Sequence, residues 1–227
     1  MNYLHQFLYG IYPYIALAIF LLGSLLRFER EQYTWKSDSS QLLYAGQLRL
    51  GNLLFHVGVL GLFFGHLVGL LTPVIVWDTL GISHSLKQMV AMLAGGVFGS
   101  LGMLGLLILL QRRLMNARVA AQTKGRDKLL LGWIFITLAL GLSTIFESAN
   151  HRDGHMMVLL MNWAQHIFTL RADAADFIVD APLLFKLHLF MGMSLFVIFP
   201  FTRLVHVWSG FAALGYVTRA WQLVRPR

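Results

Sequence analysis

The chain contains no cysteine. Disulfides, thiolate-ligated iron-sulfur clusters and covalently attached c-type haem are therefore excluded. Charge is almost as scarce: Asp, Glu, Lys and Arg make up 12% of the 227 residues, and only 10 of them are acidic. No acidic residue lies inside a long apolar run, so the carboxylate that a cation path through a membrane usually needs is missing. The start of the chain lacks the basic n-region of a cleaved signal peptide, and its first apolar run is long enough to span a bilayer. No basic groove with interleaved aromatics points to nucleic acid.

What remains is hydrocarbon: 57% of the residues are hydrophobic. A transmembrane helix needs about 20 mainly apolar residues, and five stretches qualify. They run from about Tyr3 to Leu26, between Arg49 and Asp78, between Lys87 and Arg112, between Lys128 and Glu147, and from near Lys186 to about Trp208, where Arg203 is close enough to the end to snorkel. A sixth apolar stretch, residues 156–170, carries Asn162, Gln165 and His166 on one side and reads as a helix lying in the membrane interface. The expected fold is therefore all-α and integral to the membrane: a single domain, 1–227, of five transmembrane helices with a tail from about residue 209.

Basic residues orient it. With an external N-terminus, Arg27, Arg30, Lys36 and Arg49, the six from Arg112 to Lys128, and Arg203, Arg219, Arg225 and Arg227 all face the cytoplasm. Only Lys87, Arg152, Arg171 and Lys186 lie outside, as the positive-inside rule requires. The formal net charge of +8 thus reports topology and attraction to anionic lipid. The C-terminus is expected in the cytoplasm.

Four histidines break the apolar runs: His56 and His66 in the second span, His188 and His206 in the last. An unpartnered imidazole in hydrocarbon costs several kcal/mol, roughly as other polar groups do. The two spans are antiparallel, so His66 and His188 fall at one depth near the outer face and His56 and His206 at another near the cytoplasm. Two stacked haems, each ligated by two imidazoles, suit that arrangement. The register is imperfect, because His56 and His66 are about 15 Å apart along a helix whereas His188 and His206 would be about 27 Å apart if theirs were straight. A bend at Pro200 is one way to absorb the difference. The bland alternative for each histidine is a polar contact between helices or a proton relay. Gly58, Gly61, Gly65 and Gly69 in the second span, and Gly95, Gly96, Gly99, Gly102 and Gly105 in the third, allow close approach of a flat cofactor or of another helix. His5, His84, His151, His155 and His166 fall in termini, loops or the interfacial segment and receive no role.

The stretches IYPYIALAIFLLGSLLRFEREQYTWKSDSSQ, NLLFHVGVLGLFFGHLVGLLTP, KQMVAMLAGG and LHLFMGMSLFVIFPFTRLVHVWS resemble the gamma subunit of bacterial respiratory nitrate reductases, the membrane cytochrome b of that complex. The resemblance implies two b-type haems, held by His56 and His206 on the cytoplasmic side and by His66 and His188 on the outer side. It implies oxidation of a membrane quinol beside the outer haem, with Lys87 matching the lysine of that site and Gly65 and His66 lining it. Electrons would pass from the outer to the inner haem, then to an iron-sulfur beta subunit and a molybdenum alpha subunit that reduces nitrate, all at the bacterial inner membrane. Arg112, Arg113 and Arg203 are placed by charge to meet the inner haem's propionates. The loop with Tyr33 and Trp35 and the aromatic, basic C-terminal tail suit docking to such partners. The rival functions are the cytochrome b subunit of another quinone-linked complex, and a non-haem transporter or anchor.

Overall fold

A computed structural model describes residues 2–31 and 45–210. Lys36, Tyr33, Trp35 and the tail from residue 211, with Arg219, Arg225 and Arg227, lie outside the described residues. Every regular element among the described residues is helical. Five helices are long and apolar enough to cross a membrane: Tyr3–Arg30, Gly46–Leu71, His84–Met115, Gly125–Asn150 and Leu183–Phe201. Their leucines and phenylalanines, such as Leu21, Leu53, Phe64 and Leu93, lie on the outside of the bundle. In water that would be an aggregation hazard; in lipid it is the favourable side of the transfer. The described residues thus hold five candidate spans, the pattern of a membrane protein.

The second and third spans share the most extensive contact in the bundle, and glycine makes it so. A Cβ on Gly58 would collide with the backbone nitrogen of Gly102, one on Gly61 with the Phe98 ring, and one on Gly105 with the backbone nitrogen of Phe55. Gly96 and Gly99 face Ile145 and Leu142 of the fourth span instead. Gly65, Gly69 and Gly95 meet nothing within 4 Å. The glycine pattern thus divides between helix packing and open faces. Gly58→Val is expected to force these two helices apart and to destabilise the protein by about 1–3 kcal/mol, the usual cost of overpacking, read as a lowered thermal unfolding temperature in detergent.

Proline sets two irregularities. Pro13 has no amide hydrogen, and its ring crowds the carbonyl four residues earlier. The chain answers with a π-helical turn, Phe7–Ile11, closed by Tyr12 N–H donating to the Phe7 carbonyl. The Tyr9 carbonyl that Pro13 leaves free accepts from Trp163 Nε1 at 2.9 Å. Trp163→Phe keeps an aromatic ring but removes the indole N–H and part of the packed side chain, so a loss of at least about 1–3 kcal/mol is expected from the unpaired acceptor, again measured by thermal unfolding.

Trp163 belongs to a fourteen-residue helix, His155–Phe168, in the stretch expected at the interface. At about 1.5 Å per residue it falls short of a crossing. Its apolar face is covered by protein: Trp163, Ala164 and Ile167 form a core with Tyr9, Ala174, Ala175 and Ile178. Gln165 Nε2 donates to the Leu70 and Thr72 carbonyls where the second span ends.

Pro200 makes the second break. The last long helix, Leu183–Ile198, gives way to a 3-10 turn over Phe199–Phe201 and another over Arg203–Val205 before helix resumes at His206. A straight helix through His206 is therefore wrong. Gly23 of the first span makes room for the proline, since a Cβ there would lie 2.7 Å from Pro200 Cγ. Arg27 Nη1 donates to the Pro200 and Thr202 carbonyls at 2.7 and 2.9 Å, supplying partners where the helical ladder is interrupted.

Candidate functional site: two histidine pairs and a buried lysine

The four intramembrane histidines meet in two pairs. The ring centroids of His66 and His188 are 6.1 Å apart, and those of His56 and His206 are also 6.1 Å apart. From His56 to His66 the second span is continuous helix. From His188 the last helix runs for the same ten residues to Ile198 and then breaks. The break explains how unequal spacings give matched pairs: beyond Ile198 the chain stops climbing as an α-helix, and the remaining residues return His206 beside His56.

Each ring is held in one tautomer. Nδ1 of His56 lies 2.8 Å from the Asn52 carbonyl oxygen, that of His66 2.7 Å from Leu62, that of His188 3.1 Å from Thr137, and that of His206 2.6 Å from Arg203. A carbonyl only accepts, so Nδ1 carries the hydrogen in all four and Nε2 keeps its lone pair. None of the four Nε2 atoms has a hydrogen-bond partner among the described residues. That is the arrangement of imidazoles oriented to ligate a metal through Nε2.

The donor set narrows the metal. Among the described residues there is no group of three or more His, Cys, Asp or Glu side chains able to hold a metal ion. Two imidazoles alone fall short of the three or four protein ligands of a zinc site. They suit an iron whose other four donors come from a macrocycle. Two metal-nitrogen bonds of about 2 Å, plus about 1.1 Å from nitrogen to ring centre on each side, need a centroid separation near 6 Å. Both pairs meet that requirement. Gly141 of the fourth span lies flat against His188, where a Cβ would stand 2.8 Å from Cε1.

Lys87 occupies the first turn of the third span and is only 7% exposed. An interfacial anchor would turn its ammonium outward to phospholipid headgroups. Lys87 turns inward: Nζ donates to the Gly69 carbonyl at 2.9 Å and to Met161 Sδ, and sits 4.6 Å from the centroid of Trp77. No carboxylate pairs with it among the described residues. It therefore stands at the end of the second span that carries Gly65 and His66, as a buried cation with one strong acceptor.

At the opposite end, Arg203 is committed to the fourth span. Its Nε and Nη2 donate to the two oxygens of Asp127 at 3.1 and 2.6 Å. Arg112 is 2% exposed, and Arg113 lies within electrostatic range of Arg112, Arg203 and Asp127.

The chain matches a family profile described as "Nitrate reductase gamma subunit" over residues 5–227. It belongs to that family. The respiratory nitrate reductase 1 gamma chain of Escherichia coli (strain K12) is 46% identical over 227 residues, covering all of both chains. The respiratory nitrate reductase 2 gamma chain of the same strain is 45% identical, covering 100% of this chain and 99% of the relative. The nitrate reductase gamma chain of Bacillus subtilis (strain 168) is 36% identical over 98% of each. The protein is thus a gamma subunit of respiratory nitrate reductase, an oxidoreductase component of electron transport carried in a membrane.

Several residues of this gamma subunit's site were not visible to sequence reasoning. Thr137 and Gly141 of the fourth span meet His188, Asp127 of the same span pairs with Arg203, and Trp77 underlies Lys87. Asp127 did carry a signal: it is the sole acidic residue between Arg112 and Lys128, and counting only basic residues passes over it. A backbone carbonyl such as that of Thr137 carries none. The unassigned His84 and His166 pair with Asp78 at 3.0 Å and with the exposed Asp173 at 2.8 Å. The bond from His166 holds the Asp173 carboxyl below the usual carboxylate range. His5 bonds the Ala175 carbonyl through Nε2.

Proposed function

We propose that this chain is the quinol-oxidising dihaem cytochrome b subunit of its complex. The observation that carries the reading is the pair of 6.1 Å histidine couples, each ring with Nδ1 tied to a carbonyl. His66 and His188 hold an outer haem b, His56 and His206 an inner one. Each haem, when bound, supplies a one-electron carrier. Arg112 and Arg203 supply positive charge for the propionates of the inner group, Arg203 with part of its fork already given to Asp127.

Quinol binds at the end of the second span that carries Gly65 and His66, where Lys87 donates to the Gly69 carbonyl. Gly65 offers an open backbone against which a flat ring can lie. The Lys87 ammonium, buried without a carboxylate, favours an electron-rich oxygen and stabilises the charge that develops as quinol loses its protons. This end faces the outside of a bacterial inner membrane, with the N-terminus external and the C-terminal tail cytoplasmic. The distribution of basic residues supports that orientation. A chain without cysteine cannot hold an iron-sulfur cluster by thiolates. The next acceptor is therefore another polypeptide, which the resemblance to nitrate reductase gamma subunits implies is an iron-sulfur beta subunit on the cytoplasmic face, feeding a molybdenum alpha subunit where nitrate is reduced. Transfer of electrons inward while protons stay outside builds membrane potential, worth about 2.3 kcal/mol per charge per 100 mV.

The test is a haem count joined to reduction by quinol. The full chain in its complex should carry two protohaems, show an alpha band in the reduced-minus-oxidised spectrum, and be reduced by a soluble quinol. Fewer than two haems in fully loaded protein, or haems that quinol does not reduce, would end the proposal. The interplanar angles are 73° for the inner pair and 46° for the outer, so two distinct low-spin ferric EPR signals are expected, the inner the more anisotropic.

A further inference from the structure

The segment that presents His206 is not a regular helix. It follows the Pro200 break, it is two short 3-10 turns long, and the His206 ring takes its direction from the Arg203 carbonyl at 2.6 Å. Arg203 therefore acts on the ligand through its backbone. Its side chain is held by a two-point salt bridge to Asp127, at 3.1 and 2.6 Å. Asp127 is itself fixed: its side chain is 7% exposed, and it lies in the first turn of Gly125–Asn150, where a helix N-terminus favours a carboxylate. A bidentate guanidinium-carboxylate pair constrains orientation as well as distance. The same helix supports the other histidine of the last span directly, through the Thr137 carbonyl and the flat face of Gly141.

We propose that Asp127 is a positioning residue for His206: by clamping Arg203 to the fourth span, it fixes the carbonyl that orients the inner imidazole. The fourth span, which has no ligand of its own, thereby sets both ligands of the last span. Arg27, on the Pro200 and Thr202 carbonyls, ties the same segment to the first span. This inference rests on the haem reading above.

The experiment uses the full chain in its complex and reads haem content and the ferric low-spin EPR spectrum. Asp127→Asn should lower inner-haem occupancy at least two-fold or displace the inner signal, whose anisotropy depends on the angle between the imidazole planes. The outer signal should stay unchanged and serves as an internal control for folding. Asp127→Glu, which keeps the ion pair, should restore occupancy. If Asp127→Asn does not accumulate, Arg203→Lys takes its place: it keeps the charge, loses the two-point fork, and should displace the inner signal in the same way. An inner signal of wild-type position and intensity in the variant that accumulates overturns the proposal, as does a changed potential without any change in anisotropy, which would mean that Asp127 acts by charge alone. Two haems in the wild type with an unaffected variant sink this inference by itself. A wild type without haem, or His206→Ala retaining both, removes the haem reading and this inference with it.

Discussion

Replacing His66 with alanine is expected to leave one haem per chain, the inner one, and His206→Ala is expected to leave only the outer. The selectivity follows from geometry. Each proposed haem would be held by two imidazoles drawn from two different helices, so removing either would leave one protein ligand at that site. The two sites are separated by ten residues of continuous second span, about 15 Å at 1.5 Å per residue, too far for either remaining histidine to serve the other site. The partner ring left behind, His188 or His56, stays tied through Nδ1 to its own carbonyl and has no freedom to recruit a replacement. Extracted protohaem per polypeptide should halve in both variants, and the surviving EPR signal should differ between them. His84→Ala serves as control, because His84 is exposed and bonded to Asp78, and it should retain both haems. Full occupancy of both sites in either ligand variant would refute the pairing.

Lys87→Ala is expected to lower kcat/KM for quinol about 100-fold with both haems in place, in line with the loss of one preorganised donor to a developing negative charge. That is a loss of about 2.7 kcal/mol of transition-state stabilisation. The size of the effect rests on burial. An exposed lysine would be screened by water, but this ammonium is enclosed by Gly69, Met161 and Trp77 with a carbonyl as its principal partner. Its attraction for an anionic oxygen is therefore undiminished by a competing carboxylate. Lys87 separates binding from ligation in a way that His66 cannot, because His66 is proposed for both. Stopped-flow reduction of the haems by quinol measures the effect. A change of less than about three-fold would assign Lys87 to structure only.

How much was legible in the sequence depended on whether a feature could be read along one dimension. The five spans could, because hydrocarbon tolerates neither charge nor unpaired backbone, and an apolar run of the right length has one main way to satisfy both. The pairing of His56 with His206 and of His66 with His188 could, because antiparallel spans convert sequence position into depth. Pro200 was visible as a bend. Its consequence was not, since the path of a broken helix depends on what satisfies the freed carbonyls, here Arg27 from the first span.

Composition and order alone thus determined a five-span membrane protein with two levels of facing histidines. Only the tertiary structure decided that Lys87 turns inward to Gly69, that Gly58, Gly61 and Gly105 seal two helices together while Gly65 stays open, and that Asp127 grips Arg203. The physical reason is the same in each case. Depth follows from hydropathy, which each segment carries by itself, whereas the direction of a side chain follows from partners that only another helix can bring.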